Sequence, residues 1–198
     1  MKTTIATLIS IAMLGACSSD KQTENIPQLP PITQTGTNTF GAIINGQIMV
    51  PRNSIGYIPP GSSHYAVRYS YFDNWEEISV SDGRTNMGGI YIYIDNIEKK
   101  SPIKINNYSV GNSNGAFSNS FAENTLITAY VFDNTGKGKT YLSIADTGTI
   151  NITKSDNDII SGTFSCKLKY KENPNDIIEI KDGRFDFNKN TINSTDFK

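Results

Sequence analysis

The chain has 198 residues, with 18 Lys and Arg against 19 Asp and Glu and a single histidine, for a formal charge of −1 at neutral pH. That near-neutral balance, with its basic residues scattered, leaves no electrostatic footprint for nucleic acid. One histidine and two cysteines are too few ligands for a zinc or copper cluster, so neither a metal nor another cofactor is expected.

The first element in chain order is an address. Lys2 precedes an apolar run from Ile5 to Leu14 broken only by Ser10. This run is too short to span a bilayer, which takes about 20 apolar residues. Leu14-Gly15-Ala16-Cys17 resembles the cleavage box of bacterial lipoproteins. The resemblance implies a signal peptide over residues 1–16 and lipidation of Cys17, which becomes the mature N-terminus carrying several acyl chains. It thus implies a membrane partner through that anchor, since multiple chains hold where one binds only marginally. Ser18 differs from the aspartate that retains such proteins at the inner membrane in enterobacteria, which favours the outer membrane of the cell envelope, with periplasmic and surface faces both open.

Residues 18–38, "SSDKQTENIPQLPPITQTGTN", have neither a strand nor a helix period and contain three prolines. Together with Cys17 they read as a flexible tether, 17–38, spanning roughly 25 Å as a coil. The remainder, 39–198, has the size of one domain with its own core.

Strand signals fill that domain. "TFGAIINGQIMVP" places Asn45-Gly46 between apolar runs, the signature of a two-residue hairpin, and Pro51 ends the second strand. "HYAVRYSYF", a "DN" turn and "WEEISVS" follow, then a wide turn and "IYIYIDNI". "LITAYVFD", "TYLSIA", "GTINITK", "IISGTFSCKLKY", "IIEIK" and "RFDF" complete about eleven short strands. "FSNSFAEN" allows one helical turn at most. The fold class expected is therefore all-β, an antiparallel β-sandwich or flattened barrel with little or no helix. With Asp182-Gly183 as a two-residue loop, Ile180 faces Phe185 and Ile178 faces Phe187, so the C-terminus is predicted to be a hairpin. "ISVSDGR" and "IEIKDGR" read as the same turn chemistry used twice.

Candidate chemistry is sparse. Tyr65, Tyr69 and Tyr71 share one face of a strand, Tyr91 and Tyr93 one face of another, and Trp75 follows the turn between. They read either as an exposed strip that stacks on sugar rings or, the stronger alternative, as cross-strand pairs packed in the sheet. "GNSNG" matches a nucleophile elbow at Ser113, but His64 lies upstream and no helix follows, so a turn explains it better. Asp156 and Asp158 form an oxygen-rich turn lacking the remainder of a calcium loop. Alternation places Cys166 inward with Phe164, Leu168 and Tyr170. His64 sits at the edge of a strand.

"TFGAIINGQ", "TGTINITKSDNDIISGTFSCKLKY" and "IIEIKDGRFDF" together resemble an uncharacterised family of small Bacteroidetes lipoproteins, a domain of unknown function. The resemblance implies the fold and the envelope location and supplies no catalytic residue. The expectation is a non-catalytic binding module for a glycan, a peptide or an envelope partner. Alternatives are a structural or assembly lipoprotein, or a hydrolase working with carboxylates alone.

Overall fold

A computed structural model describes residues 28–60, 63–84 and 88–198. The expected signal peptide 1–16, the expected lipidation at Cys17 and the first part of the expected tether lie outside the described residues. Among the described residues eleven strands run in chain order: β1 (Thr39–Ile44), β2 (Gln47–Met49), β3 (Val67–Phe72), β4 (Trp75–Asp82), β5 (Gly88–Asp95), β6 (Asn107–Ser109), β7 (Leu126–Phe132), β8 (Gly138–Ser143), β9 (Thr149–Ser155), β10 (Ile159–Tyr170) and β11 (Ile177–Asn188). Among the described residues the helical pieces are two single 3₁₀ turns, Asn119–Phe121 and Ile192–Ser194, so "FSNSFAEN" supplies the one turn its sequence allows.

The strands pair antiparallel in one sheet ordered β2-β1-β11-β10-β8-β7-β5-β4-β3, with β9 and β6 branching from β10. Twelve-residue β10 explains the branch: its first half carries β9 and its last residues carry β8 on the same edge, while β11 runs along the other. The right-handed twist of so long a sheet curls it into a half-barrel, which is the barrel form of the sequence expectation. Its concave face buries Phe40, Ile44, Ile78, Ile92, Leu168 and Phe187. Cys166 lies in this core, and burial pushes its thiol up to about 12.

β1 and β2 form the expected two-residue hairpin, with φ positive at both Asn45 and Gly46. The C-terminal expectation is overturned. Asp182 and Gly183 do not turn the chain; β11 runs straight through them beside β10 and β1. Two residues of β11 lie against one on each neighbour, between Phe164 and Cys166 and between Gly41 and Ile43, and Asp182 has φ 50°. This is a β-bulge. It inverts the parity of the strand, so Ile178 and Ile180 before it and Phe185 and Phe187 after it all face the core. A hairpin would invert parity in the same way, which is why the pattern is ambiguous from sequence. The real connection is the turn at 171–176, where the Tyr170 amide donates to Asp176 O. The strand count is matched because this merger is offset by β6, which the sequence reading did not identify.

Part of the segment expected as tether packs on the domain. Residues 29–37 lie back on the domain: a Cβ on Gly41 would meet Pro30 Cδ at 2.6 Å, and Arg184 Nη1 donates to Pro30 O. Thr33, Thr35, Gly36 and Thr37 converge on Asp186 of β11. At the opposite end of the sheet order, Asn193 covers the edge of β3: its Oδ1 accepts the Tyr69 amide and its Nδ2 donates to Tyr69 O. A side-chain amide here replaces a neighbouring strand and blunts an open edge.

Candidate binding surface

The β3–β4 turn, Asp73-Asn74, is held from below by Asn96, itself 1% exposed. Asn96 Nδ2 donates to Asp73 O and Lys100 O, and its amide donates to Asn74 O. Ser101 N donates to the Asp73 carboxylate. Phe72 and Trp75 flank this turn as a cross-strand pair with ring centroids 4.8 Å apart, and Phe72 is 62% exposed. A turn fixed this way presents its aromatic pair without ordering cost on contact.

From Trp75 the aromatics continue across the outer face of the sheet. Trp75 stacks on Tyr93 at 6.4 Å, and Tyr91, two residues along β5, meets Phe117 at 6.2 Å. Segment 111–125 lies over this face and buries it. The Asn119 amide donates to Glu77 Oε2, and the Ser113 amide and Gly111 O bind β8 at Ser143. Beside it Phe117, Phe121, Ala116, Asn114, Ser120 and Glu123 line an open cleft of about 530 Å³.

The six aromatic residues singled out by sequence therefore separate. Tyr69 turns into the main core, and Tyr71 stacks beside it at 5.5 Å under the Lys189 ammonium. Tyr91 and Tyr93 face the other way and are buried beneath segment 111–125. Tyr65 is half-buried, its ring against His64. A continuous exposed tyrosine strip does not form, because opposite faces of β3 and β5 carry the two sets: Tyr69, Tyr91 and Tyr93 are buried, and Tyr71 stays exposed beside Lys189. Only Trp75 keeps a place at the surface platform. Phe72, Phe117 and Phe121 join it; their signal was an apolar residue beside a turn or within a polar segment, where no core can absorb it.

The rim of the platform is acidic. Asp95 is opposite Trp75 and Glu77 opposite Tyr93, while Glu123 lines the cleft. Tyr91 Oη donates to Glu77 Oε2 at 3.2 Å; burial, followed by the Glu77 charge, raises its phenol well above the ordinary value. Burial and then Asp95 and Glu77 raise Tyr93 as well. These phenols stay neutral, leaving carboxylates as the charged acceptors at the rim.

The other sequence candidates resolve into structural roles. Ser113 Oγ pairs with Thr128 Oγ1 at 2.7 Å and accepts from the Gly115 amide, so "GNSNG" is a turn. Asp156 accepts the amides of Asp158 and Ile159 and bridges to Lys154, an Asx turn that closes β9 onto β10. Among the described residues no group of three or more His, Cys, Asp or Glu could hold a metal ion. No family model, curated protein or solved structure matches this chain.

Proposed function

We propose that this protein is a lipid-anchored, non-catalytic binding module of the bacterial outer membrane that takes neutral glycans on the Phe72–Trp75 platform. The observation that carries the reading is the aromatic pair of exposed Phe72 and half-buried Trp75 on a turn locked by Asn96. Flat aromatic faces cover the C–H patches of sugar rings at small entropic cost, and carboxylates at the rim accept sugar hydroxyls. The acidic rim of Glu77, Asp95 and Glu123 disfavours anionic polysaccharides by like-charge repulsion. Glu76, whose carboxyl burial raises to about 7, has no exposed surface and so is not placed to act on a bound substrate, which supports a binding role over a hydrolytic one.

Trp75 is the only tryptophan in the chain, so its fluorescence reports on the platform directly. Titration with neutral oligosaccharides should quench or shift its emission, and Phe72→Ala should weaken binding about tenfold or more while leaving the melting temperature nearly unchanged. A glycan panel that leaves Trp75 emission unmoved, with the protein instead co-purifying in a large envelope assembly, would replace this reading with the structural one.

A further inference from the structure

Glu76 is the next residue after Trp75 and points the opposite way, into the barrel, where it is 0% exposed. Its Oε2 accepts from Tyr69 Oη, while its Oε1 is buried with no hydrogen bond among the described residues. A full carboxylate there would leave half its charge without a donor, whereas a carboxylic acid leaves only a neutral oxygen. The groups that face it are Tyr69 and Tyr71 from β3, Tyr108 from β6, Lys189 just after β11 and the Ile103 amide from the preceding loop; Ile94 lies opposite on β5. Only Lys189 among these is a cation. Its ammonium rests over the Tyr71 ring at 4.8 Å, making no ion pair with Glu76, and the charges of Glu76, Asp156 and Asp158 all favour its protonated form.

Lys189 stands four residues before Asn193, the side chain that grips the Tyr69 backbone. The same short segment thus holds a cation near a buried acid and clamps the strand that supplies the acid's hydrogen-bond donor. We propose that Glu76 and Lys189 form a proton-operated latch joining the platform hairpin to the C-terminal segment. With Glu76 protonated, Lys189 stays on Tyr71 and Asn193 keeps its two backbone bonds. When Glu76 gives its proton to solvent, the bare carboxylate draws the ammonium off the ring, and the segment 189–195 shifts and loosens its grip on β3. The elements for two arrangements are all in place: two alternative seats for one ammonium and a clamp in register with it.

The supporting electrostatics agree with the geometry. Desolvation raises the Glu76 carboxyl to about 7, against weaker downward pulls from Tyr69, Lys189 and the Ile103 amide. Desolvation also lowers Lys189.

The test uses the full chain, with Trp75 emission and exchange of the Tyr69 amide followed from about pH 5.5 to about 8.5. One transition centred near 7 is expected, with Tyr69 protection falling about tenfold beyond the intrinsic change in exchange rate. Glu76→Gln should abolish both signals, and Lys189→Met should move the midpoint upward by removing the cation that favours the carboxylate. A flat wild-type response overturns the latch. So does a transition that survives in Glu76→Gln and disappears in His64→Gln, or an unmoved midpoint in Lys189→Met.

Discussion

Asp186 and Glu76 are equally hidden from solvent, 1% and 0% exposed, yet the fold treats them in opposite ways. Asp186 receives six donors: Thr33 Oγ1, the amides of Thr35, Gly36 and Thr37, Thr37 Oγ1 and Ser161 Oγ. Burial alone would raise its carboxyl, but bonds from Thr33, Ser161 and the strap amides hold it far below the ordinary carboxylate range. Glu76 has one close side-chain donor, Tyr69, a weaker pull from the Ile103 amide and an oxygen without a hydrogen bond, so burial prevails and raises its carboxyl to about 7. At equal solvent exposure, donor supply separates the buried acid that is an anion from the one that keeps its proton.

The sharpest way to break this contrast is Asp186→Asn. Its amide nitrogen must face donors, and the lost charge leaves several buried N–H and O–H groups without an acceptor. A loss of about 3–5 kcal/mol in denaturant unfolding is expected. Next, Gly183→Val tests the bulge that brings β11 into phase to reach the cage. A Cβ there would meet Phe164 at 2.6 Å, side chain and carbonyl alike, and about 3 kcal/mol should be lost. The residue is required for close approach, not for a left-handed backbone, since its φ lies outside that region.

The two acids should also give opposite pH signatures in thermal melts. Asp186, lowered on folding, contributes stability that is present above about pH 4 and lost as the pH falls below it. Glu76, raised on folding to about 7, contributes fully below its unfolded value and loses that contribution as pH rises through 7. From about pH 5 to about 7 the wild type should lose about 2 kcal/mol that Glu76→Gln does not, with little further change up to about pH 8.5. The smallest effect sharpens the donor argument: Thr33→Ala removes one of six donors, and about 1 kcal/mol should go, with the low-pH limb moving toward neutrality.

Much of the fold was legible because alternation in "IYIYIDNI" or "IISGTFSCKLKY" states both a strand and its inward face. Where reading failed, one pattern served two structures. The parity switch at Asp182-Gly183 is shared by hairpin and bulge, and only the neighbouring β1 and β10 distinguish them. The strap failed for another reason: "PPITQTGTN" has no period because its contacts run from backbone amides to a single aspartate about 150 residues away. For the surface, the aromatic residues were visible, but which of them stay exposed depends on segment 111–125, whose Asn- and Ser-rich sequence gives no sign that it folds onto Glu77. Glu76 was unmarked, being one of two adjacent glutamates in an alternating strand.

The reversal of the chain at residues 36–38 has a mechanical meaning. Pro30 lies over Gly41 while Thr37 sits beside the start of β1, so a pull from the N-terminal side loads the Asp186 cage before any bond of the β1–β11 ladder. Peeling the strap from residue 28 to 38 would release about 35 Å of slack. Force applied from the N-terminal side would be spent on a clip that can re-close, and the barrel would feel it only after the clip had opened.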